Sequence, residues 1–217
     1  MNDFAPTEKT RLRRAHERGH FDRETVYAIL DAGMICHLGY VVDATPYVTP
    51  TLYWREGERV YWHGSTASRM LRQQETGSPV CFTVSHFDGL VLARSGMHHS
   101  VNYRSVMLLG NPEPVTDTAE AERQLELFIE QRFPGRWAEL RPMTEQELKA
   151  TQVLSMRIDE VSAKVRSGGP IDDEEDYALP IWAGVLPLRT VAGSPVADPR
   201  NLEGVAEPAF LARFQLG

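Results

Sequence analysis

Apolar residues along the chain recur in two spacings, and the change from one to the other marks out its elements. Asp22 stands where a helix N-cap belongs; Val26, Ile29 and Leu30 then share one helical face, and Gly33 stops a helix ending near Ala32. The segment MICHLGYVV is a continuous apolar run, and PYVTPTLYWR is rich in β-branched and aromatic residues. With the turn Glu56-Gly57-Glu58 and the following RVYWHG, they predict an antiparallel meander of three strands. STASRMLRQQETG reverts to helical spacing, with Ser65 or Ser68 as cap, Met70, Leu71 and Gln74 on its faces, and Gly77 and Pro79 as its end.

The second half repeats the alternation. PVCFTVSHFDGLVLAR predicts two strands about a tight turn at Asp88-Gly89, and NYRSVMLLGNPEPV a further strand. Asp117 and Glu120 form a capping-box pattern ahead of Ala121, Leu125, Phe128 and Ile129, and Thr144 with Glu147 repeats it for a shorter helix. In VLSMRID, Leu154, Met156 and Ile158 alternate onto one face of a late strand. Mostly antiparallel neighbours with few helices point to a mainly β, α+β architecture, closed, with helices packed outside. Residues 1–20 form a basic, polar arm expected to be loosely ordered, and 21–168 the folded domain. Residues 169–217 form an irregular C-terminal extension, rich in Pro, Gly and acid, with one apolar island, LPIWAGVLPL.

Composition narrows the function classes. A chain of 217 residues suits one domain with elaborations, and its size allows a substantial core without staples. The formal net charge of −7 argues against nucleic-acid affinity, which needs a basic face. No apolar run is long enough to span a membrane, and MNDFAPTEKTRLRR lacks the apolar core of a signal peptide, so a cytoplasmic protein is expected. Cys36 and Cys81 lie in apolar strand-like segments and read as buried thiols.

Two segments carry candidate chemistry. In YWHGSTASRML a strand ends at His63-Gly64, small hydroxyl residues follow, and Ser68-Arg69 opens a helix. Unpaired backbone N–H groups, hydroxyl donors and a forked guanidinium make a phosphate cradle. The alternative is an ordinary capped surface helix. In ARSGMHHSVNYRSVMLLG, Asn102 and Arg104 share one strand face, and Ser105 takes the other. These polar groups want either a bound polar ligand or solvent. His98 and His99 are neighbours on a strand and point apart, with no carboxylate or cysteine at ligand spacing, so no metal site is expected.

HGSTASRML followed by NYRSVMLLG resembles the pyridoxamine 5′-phosphate oxidase-like superfamily, in its flavin-nucleotide-binding branch that includes nitroimidazole-resistance proteins. The likeness runs from about Arg14 to Pro187 through PYVTPTLYW, FDGLVLARS, HHSVNYRSV, FPGRW and SAKVRSGGP. It implies a six-stranded antiparallel split β-barrel with peripheral helices, a homodimer, and FMN between the subunits. By the same resemblance Ser68 and Arg69 would hold the phosphate, and His63 and Gly64 would lie beside the ribityl chain or ring. Thr49, Pro50, Thr51 and Leu52 would border the isoalloxazine, with Ser105, Asn102 and Arg104 as further contacts. The second subunit would complete the pocket, with Trp182 and Trp137 as candidates, each of which reads equally as a core or interface filler. Met70 replaces the second basic residue of the vitamin-synthesising oxidases, and their C-terminal arginine signature is absent, which argues against that reaction. The implied function is a flavin-dependent oxidoreductase drawing electrons from NADH or NADPH, with His63 as its candidate proton donor. The alternative is a non-catalytic module that binds or stores flavin or haem. FAD or a deazaflavin is open in place of FMN, and His63, His98 or His99 could ligate haem.

Overall fold

The computed structural model describes residues 3–214. Its elements in chain order are β1 (Gly19–His20), α1 (Arg23–Ala32), β2 (Ile35–Val42), β3 (Thr45–Glu56), β4 (Arg59–Ser65) and α2 (Arg69–Glu75). They continue with β5 (Val80–Leu92), β6 (Ser100–Gly110), β7 (Glu113–Pro114), α3 (Thr118–Arg132), α4 (Glu145–Ala150), β8 (Thr151–Arg157), β9 (Glu160–Arg166) and β10 (Gly184–Pro187). The strands form an antiparallel sheet in the order β1-β9-β6-β5-β2-β3-β4-β8-β7, and β10 pairs with β5.

The sheet divides at β3. Thr45 to Leu52 pair with β2, whereas Tyr53 to Glu56 pair with β4. Pro46 and Pro50 lie in the first stretch and donate no N–H, so they suit a strand with a neighbour on one side only. Asp43 and Ala44 join β2 to β3 with φ of 47° and 60°, the positive pair that a two-residue hairpin requires.

The main core lies between α1 and the inner sheet face, around Leu30, Leu38, Tyr53, Trp62, Phe82 and Leu108. Side chains from three elements satisfy the carbonyls at the C-terminus of α1. Tyr53 donates its hydroxyl to Leu30 O, His86 Nε2 lies 2.9 Å from Ile29 O, and Arg132 reaches Asp31 O at 3.2 Å. A second apolar layer lies under α3, where Trp54, Tyr61 and Val153 meet Leu125 and Phe128. Each of two buried tryptophans donates to a glutamine on a helix: Trp62 to Gln74 (2.9 Å) and Trp54 to Gln124 (2.8 Å). The Thr144–Glu147 capping box is complete. Asp117 caps α3 through Glu120 N, but the Glu120 carboxylate turns instead to Arg123 and Gln124.

Three expectations change. There is no turn at Asp88-Gly89: β5 runs through it as one strand with a register shift between Phe87 and Gly89. The glycine serves close approach, since a Cβ there would come 2.9 Å from Leu186 O of β10. SAKVR lies in β9, a short strand buried on both faces at Val161, Ser162 and Ala163, so no alternation marks it in the sequence. The N-terminal segment is tied down rather than loose: Phe4 is buried in the core, Thr7 donates to Glu160 at 2.7 Å, and β1 pairs with β9.

His63 belongs to the second layer, with ring centroids 5.9 Å from Trp54 and 5.3 Å from Phe128. Burial pushes its imidazole below the ordinary value. Below about pH 6.5 the unfolded chain takes up a proton that the folded one resists, so this residue's contribution to stability falls as the solution is acidified. Urea unfolding at pH 7.5 and 5.5 should therefore show a smaller pH dependence in His63→Phe than in the parent. Replacing Ala44 by glycine should raise stability by about 1 kcal/mol, by relieving a left-handed alanine, and the same urea titration reads it.

Candidate functional site

Beyond Tyr53, β3 and β4 separate, and the backbone of residues 46–52 has β2 on one edge and no strand on the other among the described residues. Its unspent N–H and C=O groups run along that edge. Thr49, Pro50, Thr51 and Leu52 all lie here, with Pro50 and Leu52 exposed and the threonines half-buried.

The start of α2 comes to the same edge. The Arg69 guanidinium lies 4.5 Å from the centroid of the Tyr47 ring, Tyr47 stacks on Tyr40 at 5.7 Å, and the Tyr40 hydroxyl is 3.2 Å from Thr49 Oγ1. Arg69 is exposed and pairs with no carboxylate among the described residues. Ser68 is the N-cap residue, yet its hydroxyl makes no capping bond. A cation, a free hydroxyl and an open strand edge thus meet in one place, suited to an anionic ligand with a planar polar edge. The tyrosine pair was missed in the sequence, though the alternation in GYVVDATPYVT carries its signal.

The other expected contacts stand elsewhere. His63 faces the α3 layer, with its Nδ1 buried and unpartnered. Gly64 serves packing, because a Cβ there would come 3.0 Å from Leu71 Cδ1 of α2. Asn102, Arg104 and Ser105 lie on β6, three strands from β3, or about 14 Å at the usual interstrand spacing. Asn102 accepts from Arg166 and donates to Gly168 O at 3.1 Å; Arg104 pairs with Asp88 at 3.0 and 2.9 Å. Both are spent within the chain. Ser105 is the freest of the three, with Oγ 3.4 Å from Lys164 O. Trp137 is half-buried at the margin of the α3 layer, and Trp182 is 70% exposed beside Gly184.

Burial pushes the Cys36 thiol up to about 12, and both cysteines are free. Among the described residues no three His, Cys, Asp or Glu side chains come together as a metal-binding group. No helix among them is long and apolar enough to cross a membrane.

Several known structures share this arrangement. The flavocytochrome Anf3 from Azotobacter vinelandii is 48% identical, covering 99% of this chain and 100% of its own, with a TM-score of 0.95. The FAD and haem binding protein from Mycobacterium smegmatis is 34% identical over 91% of this chain and 97% of its own, with a TM-score of 0.87. A candidate 5-nitroimidazole antibiotic resistance protein from Bacteroides thetaiotaomicron, 19% identical over 68% of this chain and 86% of its own, shares the fold at a TM-score of 0.58. No curated protein matches the chain. The family model for pyridoxamine 5′-phosphate oxidase matches residues 22–165, the span that holds both the divided sheet and the open edge of β3. The chain belongs to the pyridoxamine 5′-phosphate oxidase family of split barrels.

Proposed function

We propose that this protein binds two redox cofactors, a flavin nucleotide and a haem, with FAD rather than the FMN expected from the sequence. The observation that carries this reading is the extent of the likeness. Two relatives, 48% and 34% identical, match nearly end to end, through the C-terminal extension that lies outside residues 22–165, and both are described by two cofactors or as a flavocytochrome. This favours the flavin- or haem-binding alternative over an FMN reductase driven by a nicotinamide nucleotide.

The residues at the β3 edge fit the flavin. Among the described residues Arg69 pairs with no carboxylate and the Ser68 hydroxyl makes no capping bond, so both would take a phosphate. The backbone of 49–52 offers donors and acceptors to the polar edge of a flavin ring, and Tyr47 keeps the guanidinium oriented from below. A bound flavin would supply one- and two-electron chemistry and a haem one-electron exchange; the chain supplies position, charge and shielding.

Shielding implies a second subunit. The outer sheet face carries Val48 (68% exposed), Ile35 (54%), Val41, Leu52 and Phe87 on adjacent strands, a cluster of exposed apolar side chains of the kind an interface covers. The occupant that fits is a second copy of this chain, which would cover the open edge and bring Ser105 or Trp182 towards the partner's site.

The purified protein should show flavin bands together with a Soret band, and extraction should release FAD; a colourless protein that takes up neither FAD nor haemin would overturn the reading. Arg69→Ala should weaken FAD binding by about 2–4 kcal/mol in a fluorescence titration, and unchanged affinity would remove Arg69 from the site. Val48→Asp should shift the light-scattering mass from dimer to monomer.

A further inference from the structure

We propose that His99 ligates the haem iron through Nε2. This rests on the haem half of the functional reading and assigns it to a residue. The chain has seven histidines, and their surroundings separate them. His86 spends Nε2 on Ile29 O at 2.9 Å, and His98 directs Nε2 to Asp173 at 3.3 Å. His20 Nδ1 lies 3.7 Å from Asp22 Oδ2, too far for a hydrogen bond to fix its ring, and His63 is enclosed by Trp54 and Phe128. His16 and His37 are exposed, and among the described residues no hydrogen bond holds either ring.

His99 differs from all of these. Its Nδ1 lies 2.9 Å from the carbonyl oxygen of Ser95. A ring nitrogen facing a carbonyl must carry the proton, so Nδ1–H donates and the lone pair is left on Nε2. Iron-ligating histidines are oriented in this way: the second nitrogen fixes tautomer and ring plane while the first stays free.

The setting suits a porphyrin. Leu186, Leu90 and Val101 stand side by side across β10, β5 and β6 in one register row, all exposed. The Trp182 ring lies over Gly184, where a Cβ would come within 2.9 Å of it, and Met97, 88% exposed, is two residues from His99. Isolated apolar residues on a surface need no explanation, but a row of them whose Val101 follows an oriented imidazole by two residues offers an apolar plane a wall and its metal a ligand.

The extension holds this loop in place. Asp172 accepts from Arg94 N and the Arg94 guanidinium, each at 2.9 Å, and Asp173 faces His98. Arg94 and His98 are thereby fastened to residues 172–173, and β10 is fastened to β5. This gives the extension a physical part in the haem site.

The test is haemin titration of the full-length protein, read by the Soret band and by electron paramagnetic resonance. The parent should bind with the signature of a histidine-ligated iron. His99→Gly should lose that signature and at least tenfold in haemin affinity, with its melting temperature unchanged, and added imidazole should restore the spectrum; His37→Ala should behave as the parent. Retention of the parental spectrum and affinity in His99→Gly, loss that imidazole does not reverse, or the same loss in His37→Ala overturns the assignment while leaving haem binding intact. A parent that gives no Soret band overturns both.

Discussion

The arrangement depends on β3 changing partners. Its first eight residues pair with β2 and its last four with β4. A β-strand has two hydrogen-bonding edges, and when one is left unpaired its polar groups need water or a ligand. The two prolines make full pairing unfavourable over that stretch, since each removes a donor. The same local constraint divides the sheet, admits α2 to the gap and leaves polar backbone beside Arg69 and Tyr47. Fold and candidate site thus share one cause.

Helices on opposite faces of the sheet decide which residues remain available. α1 fills the inner side and has its terminal carbonyls satisfied by Tyr53, His86 and Arg132. α3 covers the outer side of β3, β4 and β8 and encloses His63 there. What neither covers is the outer face around Ile35, Val48 and Phe87, which stays apolar and exposed in the single chain. Polar residues on β6 that resemble ligand contacts are engaged in holding the chain together, Arg104 with Asp88 and Asn102 with Arg166.

The C-terminal extension is more than a loose cover. It adds β10 to the edge of β5, buries Asp172 against Arg94 and brings Phe210 and Phe214 to within 5.6 and 5.7 Å of Phe133. These contacts couple it to α3 and to the loop before β6. An elaboration of this kind can give a common barrel a second site without altering the first.

The sequence alone determined the helices, their caps and most strands, because those depend on local spacing: Asp22 with Val26, Ile29 and Leu30, or Thr144 with Glu147, are legible within one or two turns. The grouping of Ser68 and Arg69 was legible for the same reason, as neighbours at a helix start. Only the tertiary structure decided the rest. Whether Asp88-Gly89 is a turn or a bulge depends on β10 arriving from a hundred residues away, and which face His63 occupies depends on α3. Tyr47 meets Arg69, and Ser95 orients His99, through backbone paths and loop conformations that no residue pattern encodes. Local preferences are summed over a few neighbours, whereas partners distant in sequence are chosen by the packing of the whole sheet.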